Sequence, residues 1–160
     1  MKVKLNFKVV ALSAIFICSS FIGNAQKLIV AADITPELLK NICEDAAIKV
    51  EEAKDNYLKI KDRFTFYIDI DKEKRFLFLN TSYPLVAGTT AAQALALMNK
   101  LNREIIMVKF YYIADKNTIN YNYDFWTENG FSNRTFINVI KMFSSALSLA
   151  LEKDTEKLIK

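Results

Sequence analysis

The central part of the chain alternates between apolar and polar residues, which is the pattern of a β-strand with one buried face. Residues 64–70 show this alternation, a polar turn (DIDKEK) follows, and residues 75–81 return as a second strand. An earlier strand is expected between residues 48 and 60, although the charged stretch EEAKDN interrupts it. Residues 105–113 predict a further strand, ADKN a turn, and residues 118–126 its hairpin partner.

Three helices are predicted from the residues that begin them. Thr35 followed by Pro36 offers an N-cap with proline at the first helical position. Thr90 and Gln93 have the spacing of a capping box, and Ser132 is a third N-cap. The predicted helices run from residue 36 to 47, from after Thr90 to 104, and from after Ser132 to 152. The charged tail beyond them is expected to fray.

The order of these elements is helix, about three strands, helix, two strands, helix. Runs of adjacent strands favour an α+β domain over a parallel βαβ sheet. We therefore predict an antiparallel sheet of about five strands with helices packed on one face. An α+β cone of the kind found in nuclear transport factor 2-like proteins is the alternative fold.

The first 25 residues have the pattern of an export signal. Lysines precede an apolar run over residues 9–22, and Gly23-Asn24-Ala25 supplies small residues for cleavage after Ala25. The apolar run is shorter than the roughly 20 residues that span a bilayer as a helix, so a retained anchor is only the alternative. Residues 26–160 are predicted to form a single periplasmic or secreted domain, without stable membrane insertion after cleavage.

The charge balance changes once the signal is removed. The whole chain has 22 basic and 18 acidic residues, a net charge of +4. Residues 1–25 hold three lysines and no acidic residue, which leaves 19 basic against 18 acidic residues. A basic nucleic-acid surface is therefore not expected.

The residue types for common catalytic sites are scarce. The chain has no histidine, and its two cysteines are Cys18 in the signal and Cys43. Histidine-based nucleophile pairs and histidine or thiolate zinc sites are thereby excluded. Cys43 shares a helical stripe with Leu39 and Ile42, which favours an inert core thiol over a reactive one. We expect no enzyme activity and no cofactor.

One acidic motif needs weighing as a candidate for metal or acid–base chemistry. Asp69, Asp71 and Glu73 superficially have the spacing of a calcium loop. Lys74 stands where the turn glycine is needed, and Asn80 where the bidentate glutamate is needed. A solvated hairpin tip is therefore the favoured interpretation.

Two surfaces are candidates for partner binding. If Ile119 and its period-two neighbours face the core, Asn122 and Trp126 face outward, and Tyr67 and Tyr111 join them. The last helix is apolar over more than one stripe, because Met142 and Leu149 widen its core face. Simple strand stabilisation by the aromatic residues, and burial of the wide helix within the chain, remain the alternatives.

Several motifs occur in a recognisable order. Asn99-Lys100-Leu101-Asn102 ends the middle helix, a strand hairpin follows, and Gly130-Phe131-Ser132 precedes the last helix with its spaced apolar residues. In this respect residues 35–151 resemble the YbjN family, also labelled bacterial sensory transduction regulators. The resemblance implies a fold similar to type III secretion chaperones, and a protein client or regulator as partner.

The motif residues have structural interpretations of their own. Asn99 and Asn102 lie in the last helical turn, where backbone carbonyls lack partners. Asn102 is expected to bond these carbonyls or the start of the following strand, and a ligand-facing amide pair is the alternative. Gly130 and Ser132 are expected to serve the turn and the N-cap.

The function predicted from these observations is an exported, non-enzymatic protein-binding module, chaperone-like or regulatory, which we expect to be a homodimer. A small-ligand-binding α+β domain with an aromatic pocket between helices and sheet is the alternative. A hydrolase acting through Asp69 and Asp71 is a third and weaker hypothesis.

Overall fold

The structure is a computed structural model, and it describes residues 28–160 of the chain. The predicted export signal over residues 1–25, with Cys18 and the cleavage position after Ala25, lies outside the described residues.

The described chain contains three α-helices and six β-strands. The helices are α1 (Pro36–Asp45), α2 (Ala91–Glu104) and α3 (Asn133–Lys153). The strands are β1 (Lys49–Lys54), β2 (Tyr57–Lys61), β3 (Thr65–Ile70), β4 (Phe76–Pro84), β5 (Lys109–Ile113) and β6 (Thr118–Trp126).

All six strands pair antiparallel in one sheet of order β1-β2-β3-β4-β6-β5. This confirms the predicted α+β class, with one strand more than expected. The stretch EEAKDN contains the end of β1 and a tight turn, across which Lys54 pairs with Tyr57. A bulge between Val50 and Glu52 disturbs the alternation of β1. For this reason the sequence pattern predicts one interrupted strand where the structure has a hairpin.

The helix starts follow the predicted caps. The Leu38 amide donates to Thr35 Oγ1 over 3.1 Å, and Thr90 and Gln93 form both bonds of a capping box. The Thr135 amide donates to Ser132 Oγ over 3.1 Å. The first helix ends at Asp45, two residues earlier than predicted, because Ala47 has a left-handed φ of 59°.

The core lies between the helices and one face of the sheet. The rings of Phe66 on β3 and Phe143 on α3 meet edge-on with centroids 4.9 Å apart. Each buried phenylalanine contributes about 1.5–3 kcal/mol relative to exposure. By length and composition α3 could cross a bilayer, but its Phe136, Ile140 and Phe143 are fully buried in this core.

The strand after α2 begins later than predicted. Ile105 is the C-cap residue, and its amide donates to the Leu101 carbonyl over 2.8 Å. Ile106 and Met107, which follow, are 79% and 60% exposed to solvent. Met107 has a left-handed φ of 70°. The prediction of a strand from residue 105 was therefore wrong for its first residues. Three apolar residues in a row had the composition of a strand but form a loop.

The prediction that the C-terminal tail frays was also wrong. Leu158 is buried, and its carbonyl accepts from the Val86 amide over 2.8 Å. Ile159 forms a β-bridge with Leu85. The buried Asp154 carboxylate accepts from the Ile159 amide over 2.7 Å and closes the turn after α3. Two apolar residues are thus enough to dock a tail that is charged elsewhere.

We expect Leu158→Asp to release the tail and to lower the free energy of unfolding by about 2 kcal/mol, because it places a charge in an apolar contact. Carboxypeptidase digestion should then remove residues that it leaves intact in the unaltered protein. Lys160→Asp, which adds the same carboxylate at an exposed position, is the matched control. Equal digestion of both variants would contradict a docked tail.

Candidate functional site

One uncovered surface is the face of the sheet turned away from the helices, here called the outer sheet face. Trp126 pairs across it with Phe76, and Asn122 with Asn80. Tyr67, Tyr111 and Trp126 are 38%, 46% and 49% exposed. The structure thus brings the predicted residues Tyr67, Tyr111, Asn122 and Trp126 onto one surface, together with Asn120 and Asp124.

One corner of the outer sheet face is an aromatic cluster. The rings of Phe76 and Trp126 meet edge-on with centroids 4.7 Å apart. Phe76 also stacks with Phe78 at 5.8 Å, and the Arg75 guanidinium lies 5.9 Å from the Phe76 ring centroid. Such contacts hold the rings in place while part of each stays accessible.

Phe76 and Phe78 were not predicted as surface residues. They alternate with Leu77 and Leu79, which are fully buried on the inner face. The buried pair therefore implies that both phenylalanines point outward. Residues 76–79 are all apolar, so no alternation of apolar and polar residues shows from the sequence which of them face the core.

The centre of the outer sheet face is a set of polar side chains that bond one another. Asn80 Nδ2 donates to Asp69 over 2.5 Å. Lys109 Nζ and Asn122 Nδ2 each donate to Asp124 over 2.6 Å. These bonds fix the side chains of Asp69, Asn80, Asn122 and Asp124, so an approaching surface meets an ordered arrangement there.

The acidic motif is divided among separate contacts. Asp69 lies in β3 and bonds Asn80, whereas Glu73 pairs with Arg75 over 3.1 Å in the turn. Asp71 accepts from the Arg75 amide over 3.4 Å. Among residues 28–160, no three acidic, histidine or cysteine side chains are grouped as metal ligands would be.

The two predicted partner residues on α3 lie away from the outer sheet face. Met142 and Leu149 are half-buried and pack against the core. Ala146, on the same side of the helix, is buried. Much of the unusual apolar width of α3 is therefore covered within the chain.

Of the two asparagines that end α2, Asn102 contacts the sheet edge. Its Nδ2 donates to the Phe110 carbonyl over 2.8 Å, and its Oδ1 accepts from the Phe110 amide over 2.9 Å. Both backbone groups of Phe110 point away from β6 at the outer edge of β5. The Asn102 amide thus occupies the place that a further strand would take. Asn99 is exposed and has no side-chain hydrogen bond within residues 28–160.

Gly130 and Ser132 connect β6 to α3. Gly130 has a φ of +78°, and a β-carbon there would lie 3.2 Å from the Ile29 carbonyl oxygen. Glycine permits both the turn and the close approach of residue 29, which bridges to Phe131. Ser132 supplies the N-cap of α3.

Cys43 is fully buried in α1. Burial and, secondarily, the neighbouring Glu44 carboxylate raise the pKa of its thiol to about 12. At neutral pH the group is therefore the unreactive thiol, not the thiolate.

Comparison with known proteins identifies one family and one related fold. The model of the YbjN family, described as "Putative bacterial sensory transduction regulator", matches residues 35–153. The crystal structure of YbjN, "a putative transcription regulator from E. coli", is similar with a TM-score of 0.69 and 16% sequence identity. The similarity covers 84% of this chain and 99% of that one. The search of curated proteins returned no match.

We expect Asn102→Ala to lower the free energy of unfolding by about 1–3 kcal/mol, because it leaves the amide and carbonyl of Phe110 without their partner. Asn99→Ala, on the same helical turn, should change it by less than about 0.5 kcal/mol. Chemical denaturation of both variants measures the difference. Equal stabilities would contradict a structural role for the Asn102 bonds.

Proposed function

Because the chain belongs to the YbjN family, which is described as regulatory, we propose that it is a non-enzymatic regulatory module that acts by binding another protein. The observation that carries this proposal is the outer sheet face, which no helix of the described chain covers. The family description supports regulation, and the surface suggests how a partner could be held.

The residue types of the outer sheet face favour protein recognition. Tryptophan, tyrosine, phenylalanine and arginine are enriched in protein interfaces. The aromatic residues provide large contact areas with few rotatable bonds, and the arginine guanidinium stacks on aromatic rings. Here Trp126, Phe76 and Phe78 form an apolar cluster at one corner of the face, beside Arg75. The internally bonded amides and carboxylates around Asn122, at the centre of the face, would supply the polar part of the contact.

Docking on the face is favoured over addition of a strand to either edge of the sheet. The outer strand β1 carries a bulge and four charged residues among its six (KVEEAK), features that discourage strand pairing. At the other edge, Asn102 already bonds the backbone of Phe110. A partner would therefore bind mainly through side chains.

The signal over residues 1–25 supports a periplasmic or secreted protein, cleaved after Ala25.

A homodimer is supported by apolar side chains that stay exposed on the helices, chiefly Leu95 and Leu151. Neither nucleic acid nor a membrane is proposed as a partner.

The small-ligand alternative is less well supported by the packing. The space between helices and sheet, where an aromatic pocket was considered, is filled by large side chains that are almost fully buried. These include Tyr121, Phe66, Phe136 and Phe143. We therefore propose a protein as the partner.

Photo-crosslinking in the source bacterium tests the docking face. Benzoylphenylalanine at Tyr67, Tyr111 or Trp126 should capture the same partner, whereas the probe at Leu95 on the helix side should not. With the captured partner purified, Trp126→Ser should weaken binding at least about 30-fold, since it removes the exposed tryptophan of the aromatic cluster. Capture from Leu95 alone would contradict the proposed face.

Light scattering of the purified protein tests the homodimer. We expect the mass of a dimer, and we expect Leu151→Asp to convert it to a monomer that keeps its fold, because Leu151 is partly exposed in the single chain. Thr155→Asp, at an exposed position beyond the helix, serves as the control. A monomeric mass at every concentration would exclude the dimer. It would not contradict the proposal that a partner binds the outer sheet face.

A further inference from the structure

A groove of about 500 Å³ lies between the β2–β3 turn and the middle of α3. It is lined by Asp62 and Arg63 from the turn and by Lys141, Ser144 and Ser145 from the helix. The groove is on the helix side of the molecule and does not include the outer sheet face.

The two cations of the groove are available to a ligand. Neither Arg63 nor Lys141 forms an ion pair with a carboxylate among residues 28–160. Arg63 Nη1 donates instead to the hydroxyl of Ser148 over 3.1 Å. Asp62 is the acidic residue of the lining, so positive groups outnumber negative ones.

Ser144 is the unusual hydroxyl of the groove. Its neighbours satisfy their hydroxyls within the helix, because Ser145 donates to the Lys141 carbonyl over 2.8 Å and Ser148 to the Ser144 carbonyl over 3.3 Å. Ser144 is only 2% exposed, and its Oγ has no hydrogen-bond partner. A buried hydroxyl without a partner destabilises the fold. A ligand oxygen that reached it would form a hydrogen bond without breaking one within the protein.

We propose that this groove binds a small oxyanion, a phosphate or a carboxylate group. The Arg63 guanidinium offers paired donors that match two oxygens of such a group, and Lys141 adds a second positive charge. The buried Ser144 hydroxyl, which has no partner within residues 28–160, provides a neutral donor in the lining. The Asp62 carboxylate repels an anion and so weakens binding. Because the groove holds two cations against this one carboxylate, the attraction remains the larger effect.

The test is a titration of the purified protein with sodium phosphate and, separately, sodium acetate, followed by backbone amide shifts at constant ionic strength. We expect saturable shifts at residues 62–63 and 141–148. Arg63→Gln and Lys141→Gln should each weaken the affinity at least tenfold. Arg134→Gln, which makes the same charge change on the first turn of α3, should leave the affinity unchanged.

The two probes separate the sources of the anion. Tighter binding of phosphate identifies a phosphate site, and tighter binding of acetate identifies a carboxylate site. No saturable shift with either probe, or equal binding by the Arg63→Gln and Lys141→Gln variants, would overturn the proposal.

Ser144→Ala provides a second readout that does not depend on charge. The substitution should leave the melting temperature in anion-free buffer unchanged or raise it, since the removed hydroxyl has no partner. It should lower the affinity for the probe anion several-fold. A lower melting temperature together with unchanged affinity would exclude Ser144 from the site.

Discussion

Burial of one face of the sheet beneath α3 is the contact on which the rest of the structure depends. Phe66 on β3 packs edge-on against Phe143 of α3, and Phe131 bridges Phe125 of β6 and Phe136 of α3. Because side chains alternate along a strand, burying Leu77, Leu79 and Phe125 obliges Phe76, Phe78 and Trp126 to face solvent. The exposed aromatic surface is thus a direct consequence of how the core is packed.

The helix starts and the strand β6 could be predicted because their signals are local. A capping box needs only Thr90 and Gln93, and β6 shows clear alternation over its whole length. The hairpin of β1 and β2 was obscured by a bulge, and the start of β5 by three apolar residues that form a loop. The docking of Leu158 could not be predicted, because its partner Val86 lies more than seventy positions earlier.

The same distinction applies to the candidate sites. Tyr67, Tyr111, Asn122 and Trp126 could be grouped on one face from alternation alone. The role of Asn102 was only partly predictable, since its partner Phe110 is close in sequence but the geometry depends on the loop between them. The groove of Arg63, Lys141 and Ser144 could not be predicted, because it joins residues about eighty positions apart through tertiary packing. At 16% identity the related E. coli structure defines the fold, so function has to be argued from such sites.

The two β-bridges at the ends of the described chain have a consequence for the timing of folding. Ile29 pairs with Phe131, and Ile159 pairs with Leu85. Each bridge joins residues far apart in sequence, and contacts of this kind form slowly because a long loop must close first. The first bridge cannot form until Phe131 has left the ribosome, and the second cannot form until Ile159 has. The domain should therefore stay incompletely folded until almost all of residues 28–160 have been synthesised.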